Sequence, residues 1–541
     1  MQAIYVLLLS LFVSMVLIPP LSRFAPALGL TDKPDSRKIH TKLIPRTGGI
    51  AIVIGAITPV LLWVPWRADL RAFVLAVGVL FIFGVLDDRF NLNYRLKLLG
   101  QLLAALTVTL GGGVMIDQIP FLGTLELPPA VAVPLTVFAL VAVTNAVNLS
   151  DGLDGLAGGI SLLALGCLSI LAYQGEDVAA LMVAFAMMGA TFGFLRFNTH
   201  PAQIFMGDTG SQFLGFGTGV LAIIVTQSDD CAVSKLIPVL ILGMPILDTL
   251  TVMVRRIAEG RSPFSADRLH LHHQLLAAGL NQYQAVALVY IAQALLILLA
   301  YLMRYSADLF VLAVYLVFAA TILVSIGLLS RHHTQAIERR LPAGVAGLWL
   351  AFTSLLNLTR LMTRVAYQLL RVLVPLVLLL GALVAPSVSR DVALLAGVLL
   401  VGLLLLLWLS PQRHMPLERL IAFVTAVAVV YLASGASLLQ GQTRLLLALF
   451  ALIGILTAVR VRYSTAGFEV SSMDLLILLI ALVLPTLSGP WFDRYGLEAL
   501  ESVILFYAIE VSMVERSLMP YCPLRIGMGA ALLLILVKGF Y

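Results

Sequence analysis

The sequence predicts an all-α protein that crosses a membrane many times. Of its 541 residues, 61% are hydrophobic and only 11% are charged, whereas a soluble domain is about half apolar and a quarter charged. Apolar runs of about 18 residues or more, long enough to cross a bilayer as a helix, recur along the whole chain. These runs lack the alternation of barrel strands, and only helices and closed barrels satisfy the backbone in lipid.

The first part of the chain contains eleven predicted spans. The first span has neither a basic n-region nor a small-residue cleavage site, so we expect an uncleaved membrane helix rather than a signal peptide. The eleven predicted spans cover roughly 2–20, 48–66, 71–86, 96–114, 130–146, 155–173, 178–195, 211–227, 235–254, 283–303 and 307–330.

The pattern changes after residue 330. A polar break covers 331–342, and it is followed by a stretch in which Arg360, Arg364 and Arg371 fall on one helical face. That pattern is typical of an interfacial amphipathic helix, which we place together with the break at 331–371. Seven further spans are predicted near 372–388, 391–409, 418–435, 443–459, 474–488, 498–514 and 524–540.

Basic residues are divided unequally between the loops on the two sides of the first eleven spans. One set of loops, with Lys97 just inside the next helix, holds 17 Lys and Arg, and the other set holds four. Because basic loops stay in the cytoplasm, we expect the richer set to be cytoplasmic and the N-terminus to lie outside. Nearly all residue types that perform chemistry lie in the cytoplasmic set, so a site should face the cytoplasm.

Two acidic motifs end predicted spans. Asp87 and Asp88 are adjacent in FGVLDDRFNLN; neighbouring carboxylates repel unless they share a cation or a proton, which suggests Mg²⁺. The alternative is a pair of helix-end acids balanced by nearby basic residues.

In NAVNLSDGLDGLAGG, Asn148, Asp151 and Asp154 are spaced by three, which places them on one side of a turn or helix start. Their oxygens suit Mg²⁺ or a base and sugar, although helix capping is the alternative.

Three more motifs point to a phosphorylated ligand. Asp208 lies between glycines just before a predicted span. A helix N-terminus there would favour an anion such as phosphate. A carboxylate at the same point would compete with that anion unless it holds a metal that bridges to it. Phe205 could stack on a nucleobase or pack in the core.

A histidine cluster at 270–273 follows Arg261 and Arg268; we prefer phosphate binding to zinc because a fourth ligand and cysteine are missing. A basic stretch before Gly48 and Gly49 also suits a polyphosphate; its basic residues are Lys38, His40, Lys42 and Arg46.

These motifs resemble, in order and spacing, those of the polyprenyl-phosphate N-acetylhexosamine-1-phosphate transferases (glycosyltransferase family 4). The matching pieces are Gly48–Gly49, LDDRFNL, NAVNLSDGLDGLAGG, NTHPAQIFMGDTGS and DRLHLHH, and HLHH is similar to the undecaprenyl-phosphate GlcNAc-1-phosphate branch. The resemblance covers about 1–330, which we expect to be the transferase domain. Residues 372–541 lie outside it, and we expect an accessory membrane region there.

The resemblance implies a reaction and a role for each matching residue. The phosphate of undecaprenyl phosphate would attack the β-phosphorus of a UDP-N-acetylhexosamine, with UDP-GlcNAc as the default donor, to give a lipid diphosphosugar and UMP. Asp87 would deprotonate or orient the lipid phosphate, and Asp88 would assist it near the metal. Asp208 and Asn148, with Asp88, would hold Mg²⁺ (Mn²⁺ is the alternative ion). The expected substrate-binding residues are Lys42, Asn91, Lys97, Asp151, Asp154, Asn198, Phe205, Arg268, His270, His272 and His273.

The same resemblance implies partners and a location. We expect a multi-pass protein of the bacterial inner membrane that contacts the bilayer, the UDP-sugar and undecaprenyl phosphate, with a homodimer left open and no nucleic-acid partner. Asn91 stands where some family members carry Asp, and because Asn cannot act as a base, a scheme with three carboxylates there lacks support. The alternatives are a transporter or flippase of lipid-linked sugars and an inactive scaffold of a glycan-assembly complex.

Overall fold

The protein is helical, as the sequence predicts. A computed structural model describes residues 2–32, 43–121, 126–227, 233–262, 270–338, 365–409, 415–436, 443–463, 474, 476–478, 490–514 and 523–540. Within these ranges the extended structure consists of one small antiparallel hairpin, β1 (Thr31–Asp32) with β2 (Ile44–Pro45), and an isolated bridge between Gln118 and Glu126.

The described residues form two compact units, which are treated separately. The first unit comprises Met1–Arg339 and Ser471–Leu476. Its helices are α1 (Gln2–Leu28), α2 (Gly48–Trp63), α3 (Ala68–Phe90), α4 (Tyr94–Leu106, continued by a π-helical turn over Thr107–Gly111), α5 (Pro129–Leu149), α6 (Leu156–Gln174), α7 (Val178–Asn198), α8 (Gly207–Gln227), α9 (Ile237–Ile241), α10 (Gly243–Ala258), α11 (Leu271–Ala277), α12 (Gln282–Leu302) and α13 (Asp308–Glu338).

The second unit comprises Arg340–Val470 and Ile477–Tyr541. Its helices are α14 (Val365–Val384), α15 (Arg390–Leu409), α16 (Met415–Ser434), α17 (Thr443–Tyr463), α18 (Pro490–Val514) and α19 (Pro523–Lys538). They share an apolar core of aliphatic side chains such as Leu378, Val429 and Leu532.

Ten helices in the described part of the chain are long and apolar enough to cross a membrane. They correspond to α1, α3, α5, α6, α7, α8, α12, α13, α14 and α19. The protein is therefore a multi-pass membrane protein. Of the predicted spans, the one at 474–488 lies almost wholly outside the described residues.

Helix α8 lies at the centre of the first unit, and nearly all of its residues are buried. It packs against α2, α3, α5 and α6. Its glycines allow this close packing: a Cβ atom on Gly210 would lie 2.8 Å from the Cα of Gly49, and one on Gly215 would lie 2.9 Å from the Cα of Thr144. Small residues let helix backbones approach each other in membranes.

The span predicted at 235–254 is wrong as a single helix. It is broken into α9 and α10 at Leu242, and α10 continues to Ala258. The break begins just before Pro245, which has no N–H to donate. Side chains of other helices satisfy the freed backbone groups, as an apolar surrounding requires. Gln293 of α12 accepts from the N–H of Met244 (3.2 Å) and donates to the carbonyl of Ile241 (2.6 Å), and Tyr315 of α13 donates to the carbonyl of Gly243 (3.0 Å).

Two expectations for the second half also change. The segment 331–338, predicted as part of a polar break, continues helix α13 to Glu338. Helix α14 already includes Val365, seven residues before the predicted span at 372–388, whereas 339–364, with most of the expected interfacial helix, lies outside the described residues.

The break in α9–α10 generates a stability prediction. Gln293→Leu should leave the N–H of Met244 and the carbonyl of Ile241 buried without partners, which costs about 1–3 kcal/mol per group. We expect the purified protein to lose monodispersity several degrees lower in a thermal-shift measurement by size-exclusion chromatography. Gln282→Leu, at the start of the same helix and without a side-chain hydrogen bond among the described residues, is the control; equal shifts for both variants would contradict the assignment.

Candidate active site

The N-terminus of α8 is held by Asp88 at the end of α3. One carboxylate oxygen of Asp88 accepts from the N–H of Asp208 (2.8 Å), and the other accepts from the N–H and the hydroxyl of Thr209 (3.1 and 2.6 Å). The side chain is buried. Because the first N–H groups of a helix have no partner within it, Asp88 acts as a cap supplied by another helix.

Two glycines make this approach possible. Gly207 has a φ of +68°, and a Cβ atom there would lie 2.5 Å from a carboxylate oxygen of Asp88. A Cβ atom on Gly84 would lie 2.6 Å from the Cα of Thr209. Helix α3 and the first turn of α8 are therefore in direct backbone contact beside the acidic pair.

Lys97 joins the two other carboxylates. Its Nζ lies 2.5 Å from Oδ2 of Asp87 and 2.9 Å from Oδ2 of Asp208. Asp87 is buried, and its other oxygen accepts from the N–H of Leu92 (2.7 Å) just after α3 ends. Asp87 and Asp208, which lie 121 residues apart in the sequence, thus share one cation, whereas the sequence analysis expects the adjacent Asp87 and Asp88 to share it.

Asn148, in the last turn of α5, completes this group. Its amide donates to Oδ1 of Asp208 (2.6 Å) and to the hydroxyl of Ser211 (2.7 Å). Four helices, α3, α4, α5 and α8, therefore contribute one polar side chain each: Asp87, Lys97, Asn148 and Asp208.

A layer of amides lies about one turn deeper. Gln101, Asn145 and Gln212 lie on α4, α5 and α8, at positions four residues after Lys97, three before Asn148 and four after Asp208. The amide of Asn145 donates to Gln101 (2.7 Å), and the amide of Gln101 contacts Gln212 (3.3 Å). Gln101 and Gln212 are buried, and these bonds align the three helices beneath the carboxylates.

Asp151 and Asp154, in the turn after α5, have different surroundings. Burial raises the pKa of Asp151 to about 7, and the charges of Asp208 and Asp88 raise it further. Asp151 can therefore carry a proton near neutral pH and donate a hydrogen bond to a ligand. Asp154 instead binds the 200–202 loop, through His200 Nδ1 (2.7 Å) and the N–H of Ala202 (3.1 Å). The N-cap residue of α6 is Gly155, and no side-chain hydrogen bond is made from this position, so neither aspartate caps the helix.

Asn198 binds the backbone of two loops. Its oxygen accepts from the N–H of Gly155 (2.9 Å), and its amide donates to the carbonyl of Ile204 (2.8 Å). The side chain is buried, so its geometry supports positioning of these loops. Phe205 is half-buried beside them, and its N–H donates to the carbonyl of Pro45 (2.8 Å).

The N–H groups of Gly48 and Gly49 do not point to a free phosphate site. They donate to the carbonyls of Phe205 (3.0 Å) and Met206 (2.8 Å). These glycines thus join the start of α2 to the segment before α8. Nearby, Arg46 forms an ion pair with the buried Asp32 across the hairpin.

The histidine cluster packs onto the turn that contains Asp151. The ring of His272 lies over Gly152, where a Cβ atom would come within 2.1 Å of Nε2. His273 is 4.2 Å from His272 between ring centroids. Burial lowers the pKa of His272 to about 4, so this ring is neutral at pH 7. The expected donation of charge to a phosphate therefore does not hold for His272, which can only form hydrogen bonds.

His270 is fixed by a residue that the sequence analysis missed. Asp248, in α10, accepts from His270 Nδ1 (2.9 Å) and from the N–H of Leu271 (2.7 Å), and both Asp248 and His270 are buried. The sequence did contain a signal for Asp248, because an aspartate inside an apolar run marks a candidate functional residue. His200 was also missed, although it stands inside one of the quoted motifs.

The remaining predicted residues fall into two groups. Asn91 is exposed and ends α3 in the left-handed conformation (φ +48°), which Asn tolerates better than most residues. Lys42 and Arg268, like Lys38 and His40, lie outside the described residues.

The donor set fits a magnesium ion that is completed by a substrate. In the part of the chain that the structure describes, no three His, Cys, Asp or Glu side chains are grouped to hold a metal, which gives no support to a zinc site. Mg²⁺, however, usually binds through one or two carboxylates plus substrate phosphates and water. Asp87 and Asp208 provide that pair at the position where the mobile side chain of Lys97 now joins them, whereas Asp88 is held by three hydrogen bonds to the start of α8.

The fold and the site together define a multi-pass membrane protein with a carboxylate, lysine and amide centre at the ends of its helices. Residues 70–226 match the sequence profile of glycosyl transferase family 4. A probable undecaprenyl-phosphate N-acetylglucosaminyl 1-phosphate transferase of Bacillus subtilis (strain 168) is 38% identical over 287 residues, which cover 52% of this chain and 80% of the relative.

Two further relatives are similar. An undecaprenyl-phosphate α-N-acetylglucosaminyl 1-phosphate transferase of Yersinia pestis is 33% identical over 51% of this chain and 77% of its own. A decaprenyl-phosphate N-acetylglucosaminephosphotransferase of Mycolicibacterium smegmatis is 36% identical over 49% and 72%, respectively. The chain belongs to glycosyl transferase family 4, and it is a transferase.

The contacts of Asp88 predict that it and Asp208 differ in their effect on stability. Asp88→Ala removes three hydrogen bonds from the start of α8 and should lower both transferase activity and thermal stability, by about 2 kcal/mol for a lost cap. Asp208→Ala should abolish activity but cost less stability than Asp88→Ala, because the loss of the bonds to Lys97 and Asn148 is partly offset by relief of the repulsion with Asp87. Thermal-shift measurements of the two purified variants distinguish these roles; a loss of stability in Asp208→Ala alone would contradict them.

The packing of His272 on Gly152 predicts a strong effect of one methyl group. Gly152→Ala should displace the buried ring of His272 and lower the transfer rate by more than about tenfold, since a misplacement of 1 Å can cost two orders of magnitude. Gly78→Ala, where a Cβ atom meets nothing within 4 Å, is the matched control and should retain activity. Similar initial rates for the two variants would show that His272 does not need this position.

Proposed function

We propose that the protein transfers N-acetylglucosamine 1-phosphate from UDP-N-acetylglucosamine to a polyprenyl phosphate, undecaprenyl phosphate being the expected acceptor. The relatives are named for this sugar phosphate and for undecaprenyl or decaprenyl phosphate. The observation that carries the proposal is the bridge from Lys97 to Asp87 and Asp208, because it provides two carboxylates and one cation for a reaction between two phosphates.

The reaction forms one bond and breaks one. An oxygen of the lipid phosphate attacks the β-phosphorus of the UDP-sugar, and the bond from that phosphorus to the oxygen bridging the α-phosphate breaks. UMP leaves, and the sugar remains attached to the new diphosphate. Charge on the phosphate oxygens must be neutralised in such a transfer, and catalysis consists mostly of positioning and electrostatics.

Each side chain has a task in this scheme. Asp87 accepts the proton of the lipid phosphate or orients it, and Lys97 balances the incoming charge. Asp208 and Asp87 would hold Mg²⁺, with Asn148 as a further oxygen ligand if its amide turns; the ion would supply positive charge to the diphosphate. Asp88 positions Asp208 by fixing the start of α8.

The donor would lie on the turn and loops beside the carboxylates. Asp151, Phe205 and the histidine cluster surround that region, and they provide hydrogen bonds and an aromatic face for a uridine and an amino sugar. Asp154 supports this region through His200. Lys42 and Arg268 remain expected phosphate contacts from neighbouring segments of the sequence.

We further propose that this site faces the cytoplasm of a bacterium and that the N-terminus lies on the periplasmic side of the inner membrane. The support is the excess of basic residues in the loops on the side of the site. A transporter is disfavoured, because the charged groups lie at helix ends and the backbone groups at the α9–α10 break are satisfied by Gln293 and Tyr315. The paired Asp87 and Asp208 disfavour an inactive scaffold.

The test is a reconstituted assay. Purified full-length protein is mixed with undecaprenyl phosphate, Mg²⁺ and one UDP-sugar at a time, and released UMP is measured. We expect UMP with UDP-N-acetylglucosamine, little without lipid phosphate, and loss of turnover in EDTA that Mg²⁺ restores.

Two variants sharpen this assay. Asp208→Ala should reduce turnover to background and remove its dependence on Mg²⁺, whereas Asp69→Ala, at the opposite end of α3, should not. A near-normal rate for Asp208→Ala would refute the metal assignment. Transport of lipid-linked sugar with no UMP from any donor would instead favour the transporter.

A further inference from the structure

Asp248, on α10, and His270, just before α11, form a buried pair in which every oxygen of the carboxylate has a partner. Oδ2 of Asp248 lies 2.9 Å from Nδ1 of His270, and Oδ1 accepts from the N–H of Leu271 (2.7 Å). Asp248 and His270 are only 5% and 6% exposed. A carboxylate enclosed in this way does not reach a substrate itself, so it can influence the reaction only through His270 and Leu271.

The contact with Asp248 determines which ring nitrogen of His270 carries a hydrogen. A carboxylate only accepts hydrogen bonds, so Nδ1 is the donor in this pair. The other nitrogen, Nε2, makes no hydrogen bond to the described residues, and it is not sealed from solvent. Nε2 is therefore left for a ligand, from which it accepts a hydrogen bond when the ring is neutral and to which it donates one when the ring is charged.

The ring of His270 lies on the side of the active site where the sugar nucleotide is proposed to bind. It stacks on the ring of His272, with 5.8 Å between the ring centroids and 10° between the planes. His272 in turn lies over Gly152, and the next residue, Asp151, is close enough to Asp208 to be affected by its charge. A series of contacts thus leads from α10 to the turn beside the carboxylates.

We propose that Asp248 is a positioning residue of the transfer reaction, which holds His270 with its hydrogen on Nδ1 and so presents Nε2 to the nucleotide sugar. This inference rests on the proposed function, because it assigns a further role within the same site. The hydrogen bond at one nitrogen of a histidine fixes the tautomer and the orientation of the ring, and with them the chemistry of the other nitrogen.

The bond to Leu271 fixes the position of the ring as well as its orientation. His270 precedes α11 and does not cap that helix with its own side chain. Asp248 satisfies the first N–H of the helix from outside it, as Asp88 does for α8. The start of α10 is held by Gln293 at the break. The place of His270 in the site therefore depends on the helix that begins at this break.

Asp248→Asn should change the tautomer of His270 while keeping the shape of the side chain. The N–H of Leu271 only donates, so the amide oxygen must face it and the NH2 group must face Nδ1. The ring is then neutral, with its hydrogen on Nε2, where it can neither accept nor carry a charge. We expect kcat/KM for UDP-N-acetylglucosamine to fall more than about tenfold, and KM for undecaprenyl phosphate to stay within about twofold.

His270→Asn tests whether Nε2 itself is needed. The amide nitrogen of asparagine lies near the place of Nδ1, so it can still donate to Asp248, but nothing replaces Nε2. A purely structural pair would tolerate this change, whereas we expect the same loss of kcat/KM as in Asp248→Asn. Because Asp248 acts through His270, the double variant should be no slower than either single variant, whereas independent roles would multiply to about a hundredfold.

Asp308 offers a matched control. It also accepts from one backbone N–H, that of Phe121, and from one side chain, Ser234. It lies at the start of α13, beyond the end of α12 that is remote from the histidine cluster. Asp308→Asn should retain transferase activity. The full-length variants are compared in the UMP assay after size-exclusion chromatography and a thermal-shift measurement, since a misfolded protein would also lose activity.

Each result of this comparison decides the question. Absence of UMP from the wild type would reject the proposed function and, with it, this inference. An active wild type with near-normal kcat/KM in Asp248→Asn or His270→Asn would overturn the role of Asp248 alone, as would losses that multiply in the double variant or that only follow a fall in thermal stability. Equal, non-additive losses in stable single variants, with normal activity of Asp308→Asn, would support it.

Discussion

The hydrogen bonds from the first turn of α8 to Asp88 determine where the other groups of the active site lie. A buried helix start leaves N–H donors without partners, and each unpaired donor costs free energy. Asp88 satisfies two of them and thereby fixes Asp208 next to the end of α3, where Asp87 lies. Gly84 and Gly207 are required for this contact because any side chain at either position would collide with it.

The sequence predicts the types of residue at the site better than their directions. Polar residues at the ends of long apolar runs identify Asp87, Asn148 and Asp208 as a group, and these three lie close together. Adjacent positions on a helix, however, point about 100° apart. Asp87 and Asp88 therefore meet different partners, and the spacing gives no sign of which one faces the shared lysine and which one caps α8.

Contacts between residues that are far apart in the sequence are harder to predict than residue types. The pair of Asp248 and His270 depends on the break before α10, and that break is tolerated only because Gln293 and Tyr315 lie opposite it. A hydropathy pattern contains no information about such partners, so it predicts one continuous span. The glycines in the motifs have a related ambiguity, because a glycine can make room for a ligand or for another part of the protein. At Gly49 and Gly152 the space that a side chain would fill is taken by other residues of the protein.

The amide layer beneath the site has a consequence for how far charge can enter the helix bundle. A cation that enters from the loops meets carboxylates at one level, but one turn deeper it meets only the neutral side chains of Gln101, Asn145 and Gln212. An ion that moved further inside would exchange its water for an apolar surrounding, which costs much free energy. The charged centre therefore ends at a neutral layer, and this arrangement favours keeping highly charged reactants at the ends of the helices and out of the bilayer interior.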